Sequence, residues 1–109
     1  MSAVVEVTGA NFDLLLSQHK FVILDFWAQW CGPCKSFSPV FAEQAARYPE
    51  ILFGSVDVEA ERELAAEFDI RSIPFLMILK ENTLIYAEAG ALSSAGFEEL
   101  IQKALVVNV

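Results

Sequence analysis

The chain has 109 residues, with 7 Lys+Arg against 15 Asp+Glu and a formal charge of -8. Such a field repels polyanions, so neither nucleic acid nor an anionic membrane is an expected partner. At 55% hydrophobic residues and a mean hydropathy of +0.44, the composition favours a sheet covered on both faces over disorder.

One domain spanning residues 1–109 fits this length, and it needs no metal or disulfide staple to stay folded. No run reaches the ~20 apolar residues of a membrane span. The stretch Met1 to Val7 lacks the basic head and apolar core of a secretion signal, so a cytoplasmic protein is expected.

Ala3 to Val7 reads as a first strand interrupted by Glu6, and Thr8-Gly9-Ala10-Asn11 offers turn and N-cap chemistry. Phe12, Leu15, Leu16 and His19 then fall at i, i+3, i+4 and i+7, the stripe of an amphipathic helix. His19, the single histidine, stands at the C-terminal end of that helix, where its partial charge suits the dipole and its role is structural. Phe21 to Ala28 is apolar on both alternating faces, as in a central covered strand.

A helix from about Gly32 to Tyr48 follows, with Phe37, Phe41, Ala45 and Tyr48 facing inward. Pro39 is expected to kink it and Pro49 to end it. Ile51 to Val58 is a third strand with Gly54 as its weak spot, and Glu59 to Asp69 a charged helix burying Leu64, Ala65 and Phe68. Phe75 to Leu79 and Leu84 to Ala89 form a hairpin around Lys80-Glu81-Asn82-Thr83, in which Asn82 suits positive φ. Ser93 or Ser94 caps a last helix striped by Phe97, Leu100, Ile101, Ala104 and Leu105.

The order β-α-β-α-β-α-β-β-α predicts an α/β fold: a central mixed sheet of about five strands, parallel and antiparallel, with helices on both faces.

The only two cysteines, Cys31 and Cys34, stand where the buried strand hands over to a helix. One tight pair is no secreted disulfide framework; in a reducing compartment it means redox cycling or half a metal site. Zinc needs four ligands, so a metal site would need a second subunit, and none is expected. At the helix N-terminus, unpaired N–H groups and the macrodipole stabilise a thiolate on an exposed Cys31. Cys34, one turn along, is the buried resolving thiol, and Pro33 sits where its missing N–H costs little. Asp25 interrupts an otherwise apolar strand six positions before Cys31. Burial raises such a carboxyl's pKa, which suits it to accept the Cys34 proton through a water.

Asp25-Phe26-Trp27-Ala28-Gln29-Trp30-Cys31-Gly32-Pro33-Cys34-Lys35 resembles the active-site segment of the thioredoxin family. The likeness covers nearly the whole chain. Pro39 matches the family's kinking proline, Ile70-Arg71-Ser72-Ile73-Pro74 the segment ending in its cis-proline, and Gly90-Ala91-Leu92-Ser93 its glycine loop. The resemblance implies a thioredoxin fold and a protein-disulfide reductase, and a monomer is expected. A target peptide would lie across Trp30, Gly32, Pro33, Ile73, Pro74, Gly90 and Ala91, and Cys31 and Cys34 would form the redox disulfide. It also implies recharging by a flavin-containing thioredoxin reductase drawing on NADPH, with no cofactor bound to this chain, which has no GxGxxG segment.

The sequence departs from the family pattern at Ser55, where a lysine is frequent, and at Ser72, Phe75 and Asn82. The alternatives are a docking protein on the same fold, or a disulfide oxidase or isomerase. Relatives of the oxidising kind carry a histidine between the cysteines, whereas Gly32-Pro33 favours the reducing role.

Overall fold

The computed structural model describes residues 3–109. The reading of the N-terminus as leaderless rests partly on Met1 and Ser2, which lie outside the described residues. The elements are β1 (Val4–Glu6), α1 (Phe12–Gln18), β2 (Phe21–Trp27), α2 (Gly32–Arg47), β3 (Leu52–Asp57), α3 (Arg62–Glu67), β4 (Phe75–Lys80), β5 (Thr83–Ala89) and α4 (Ser94–Leu105). The strands form one sheet in the order β1-β3-β2-β4-β5. β1, β3 and β2 run parallel, and β4 and β5 complete the sheet antiparallel. The predicted mixed sheet is therefore the one observed.

β2 is central because it is apolar on both sides, and its alternation divides the core. Phe21 and Ile23 pack with Phe37 and Phe41 of α2 and Phe97 of α4. Val22, Leu24 and Phe26 face the other way, against Leu64 of α3 and half-buried Phe12 and Leu15 of α1. Asp25 shares the odd-numbered face, beneath α2. Aromatic rings clamp that helix in place: Phe97 lies 5.4 Å from Phe37 and 5.8 Å from Phe41, stacked on the latter. Each such pair adds about 0.5–1.5 kcal/mol beyond its burial, and together they hold the start of α2 over the sheet.

Several local expectations shift. Asn11 occupies the N-cap position of α1 without capping it. Its Oδ1 accepts from Thr8 N at 2.8 Å and its Nδ2 donates to the Glu6 carbonyl at 3.0 Å, so the side chain closes the preceding turn. His19 is the extended residue that ends α1, as its place in the stripe suggests. α3 is shorter than predicted because Asp57 Oδ1 accepts from Glu59 N and Ala60 N, holding that segment as a turn.

Gly54 is no weak spot. A Cβ there would lie 2.5 Å from Val7 Cγ2 and 3.0 Å from Leu24 Cδ2, so close packing requires glycine. The hairpin loop is only Glu81-Asn82, both at positive φ (50° and 64°), the pattern of a type I′ turn. α2 runs through Pro39, and Ser93 caps α4 by accepting from Gly96 N at 3.0 Å.

Candidate redox site at the start of α2

β2 ends at Trp27, and Cys31 is the N-cap of α2 in extended conformation. Pro33 falls in the first turn of the helix. There its missing N–H leaves no bond unmade, because the first amides of a helix have no intrahelical acceptor. Cys31 and Cys34 are joined as a disulfide with their Cα atoms 5.3 Å apart. Cys31 Sγ also accepts from Cys34 N at 3.1 Å, so an amide of the helix start is aimed at the first sulfur. Its other neighbour is the Ile73 carbonyl oxygen, 3.9 Å away.

The expected contrast in exposure is absent. Cys31 is 4% exposed and Cys34 2%. Both pack with Ala28, and Ile73 and Trp27 close over them. What separates the sulfurs is what lies behind them. Cys34 lines a cleft of about 370 Å³ beside β2, together with Asp25, Ser55, Glu6, Lys35 and Ser38. Cys31 is not part of that wall and looks toward Ile73.

Asp25 is 4% exposed, and its Oδ1 has no hydrogen-bond partner. Loss of hydration lifts its pKa from 3.8 to about 7. Directly opposite it on the two adjoining strands stand Ser55 and Leu76, neither of them a cation. The carboxyl is thus held near the point of half-ionisation at neutral pH, behind the inner sulfur.

The groove residues predicted from sequence converge on the same end of the sheet. The Ile73–Pro74 peptide bond is cis, and Pro74 is buried while Ile73 touches the sulfurs. Gly90 has φ +119°, a conformation that L side chains rarely adopt, and its N–H donates to the Pro74 carbonyl at 2.8 Å. That bond ties the glycine loop to the proline loop. Trp30 is 68% exposed beside Cys31. Gly32, Pro33 and Ala91 are exposed as well. Among the described residues no group of three or more His, Cys, Asp or Glu is arranged to hold a metal ion, and no helix is long and apolar enough to cross a membrane.

Sequence reasoning missed two features. Glu6 registered only as an interruption of β1, and its place on the cleft wall depends on strand register, which no local pattern encodes. Gln44 is wholly buried on α2 with neither side-chain polar atom paired. Its spacing from Phe37 and Phe41 was the one signal of that burial.

Comparison with known proteins agrees with this geometry. The thioredoxin family model matches residues 3–103. A protein of Streptomyces coelicolor assigned as a thioredoxin 2 is 47% identical over 104 residues, covering 95% of this chain and 78% of that one. Among solved structures, the Plasmodium falciparum thioredoxin superposes with a TM-score of 0.84 at 35% identity, over 91% of this chain and 97% of its own. Spinach chloroplast thioredoxin f gives 0.84 at 35% identity, over 94% and 93%. With that family model spanning nearly the whole sequence and its one cysteine pair joined across the first turn of α2, the chain belongs to the thioredoxin family and is a thiol–disulfide oxidoreductase.

Proposed function

We propose that this protein is a monomeric cytoplasmic reductant of target-protein disulfides, recharged by a flavin-containing thioredoxin reductase drawing on NADPH. The observation that carries the mechanism is that Cys34 and Asp25 line one cleft whose wall does not include Cys31. An extended target segment lies across Trp30, Gly32 and Pro33 on one side and Ile73, Pro74, Gly90 and Ala91 on the other. The bond between Gly90 N and the Pro74 carbonyl supports this by making the second wall one unit.

In the reduced protein the Cys34 amide and the helix start stabilise a thiolate on Cys31. That thiolate attacks one sulfur of the target disulfide. The target S–S bond breaks, a Cys31–target disulfide forms, and the released target thiolate takes a proton from solvent. Cys34 then gives its proton to the Asp25 carboxylate, and the new thiolate attacks Cys31 Sγ. The mixed disulfide breaks, Cys31–Cys34 closes, and the second target thiolate leaves and is protonated. Two electrons have passed from the cysteine pair to the target. The reductase returns them from NADPH.

The test is NADPH consumption in the presence of a thioredoxin reductase and a protein disulfide. Turnover should require this protein and fall to background with Cys31→Ser. Equal rates for the two proteins would overturn the reading. Faster oxidation of a dithiol substrate than reduction of its disulfide would assign the protein to the oxidising class instead.

A further inference from the structure

Asp25, Ser55 and Glu6 stand in one row across three neighbouring strands. The parallel registers set Asp25 opposite Ser55 on β3 and Ser55 opposite Glu6 on β1. The three residues therefore share a sheet face, and all of them line the cleft that Cys34 enters. With strands about 4.8 Å apart, the row runs roughly 10 Å from Asp25 to β1. Its two ends differ in environment. Asp25 is buried with Oδ1 unpaired, whereas Glu6 is exposed on a strand that forms the edge of the sheet. Ser55, half-buried, lies between them.

A base must be ionised before it can accept a proton, and at 4% exposure Asp25 gives its proton little direct access to bulk water. Groups on the cleft wall can carry it. A serine hydroxyl accepts on a lone pair while donating its own hydrogen, and an exposed carboxylate is a terminal acceptor. The other charged group on the cleft, Lys35 of α2, has donors only. Asp57 and Glu61 line a neighbouring cleft that shares Glu6 and Ser55, and so stand behind the outer end of the row. Ser38 of α2 is the remaining hydroxyl on the wall but lies outside the row.

We propose that Ser55 and Glu6 relay the proton of Asp25 to solvent and so reset it to a carboxylate before each resolving step. The relay rests on the reading of Asp25 as the acceptor of the Cys34 proton. In it the Asp25 O–H bond breaks as its proton passes across a cleft water to Ser55 Oγ, to which Asp25 is not directly hydrogen-bonded. The hydrogen already on Ser55 moves to a Glu6 carboxylate oxygen, across a cleft water where the side chains do not meet. Glu6 then releases a proton to bulk solvent, and the hydroxyl rotates back. One proton is displaced along the row and no electrons are transferred. Neither residue touches the target; both act through Asp25.

The relay governs the rate where Asp25 is mostly protonated, and is idle where it is already ionised. With its pKa near 7, those regimes are pH 6 and pH 9. The experiment mixes the reduced protein with a disulfide peptide in a stopped-flow instrument at low buffer concentration and follows decay of the mixed disulfide. Ser55→Ala and Glu6→Gln should slow that decay several-fold at pH 6 and leave it unchanged at pH 9. Imidazole, a small diffusible base, should restore both variants at pH 6. Ser55→Thr, which keeps the hydroxyl, should run at the parent rate, as should Ser38→Ala. Asp25→Asn should be slow at both pH values and insensitive to imidazole. If Asp25→Asn is slow while Ser55→Ala and Glu6→Gln match the parent at pH 6, the relay is wrong and the role of Asp25 stands. Slowing that imidazole does not relieve also overturns the relay. Parent-rate decay in Asp25→Asn overturns the underlying assignment itself.

Discussion

Burial lifts Asp25 from 3.8 to about 7, so the folded protein holds that proton more tightly than the unfolded chain does. Between those two values the native state binds more protons, and stability falls as pH rises. The favourable contribution is complete below pH 3.8 and lost by about pH 7; above that the ionised carboxylate costs the fold roughly 4 kcal/mol. Asp25→Asn should therefore raise stability by a few kcal/mol at pH 8 and very little at pH 4, read from urea denaturation at both pH values. Equal shifts at the two would contradict the assignment of burial as the cause. Gln44 carries a similar cost without a catalytic return. Its amide is wholly buried with both polar atoms unpaired, so Gln44→Leu should stabilise by about 1–3 kcal/mol, and a lower urea midpoint would show that the amide is satisfied in solution.

The elements that frame the site are held by contacts distant from it in sequence. Lys80, the last residue of β4, donates from Nζ to the carbonyls of Ala104, Leu105 and Val107 at 3.0, 2.9 and 2.7 Å. All three of its donors thus meet carbonyls at the C-terminal end of α4, where the helix dipole favours a cation. Lys80→Met keeps most of the stem and removes the donors; it should lower stability by about 1–3 kcal/mol in thermal or urea melts. An unchanged midpoint would mean that solvent replaces the ammonium at no cost.

None of this was legible in sequence, where Lys80 reads only as a hairpin residue. What was legible follows from local rules: the two-sided apolar run of β2, the cysteine pair before a helix, the positive φ of Asn82, and the Ser93 cap. Two other assignments turn on contacts that the residue pattern does not show. Gly54 reads as a weakness in the strand pattern, yet Val7 and Leu24 stand where its Cβ would be. The stretch Thr8 to Asn11 reads as turn or cap, and the Asn11 side chain, bonded back to Thr8 and Glu6, makes the turn.

At the scale of the molecule, the sheet order places the Cys31–Cys34 turn, the Pro74 loop and the Gly90 loop at one end, and α2 carries the inner sulfur over Asp25. The resemblance to the thioredoxin family is enough to imply that arrangement. It does not imply the row of Asp25, Ser55 and Glu6, which exists only through two strand registers. Nor does the sequence show that both sulfurs are nearly buried, so exposure alone does not decide which one attacks. The distinction rests on Cys34 backing onto the Asp25 cleft and on the helix amide aimed at Cys31. Trapping tests it most directly. Cys34→Ser and Cys31→Ser, each reduced, are mixed with a disulfide-bonded target, and the adducts are mapped by mass spectrometry. A stable mixed disulfide at Cys31 is expected in Cys34→Ser, formed far faster than any adduct at Cys34 in Cys31→Ser. Adducts forming at equal rates, or faster at Cys34, would contradict that distinction.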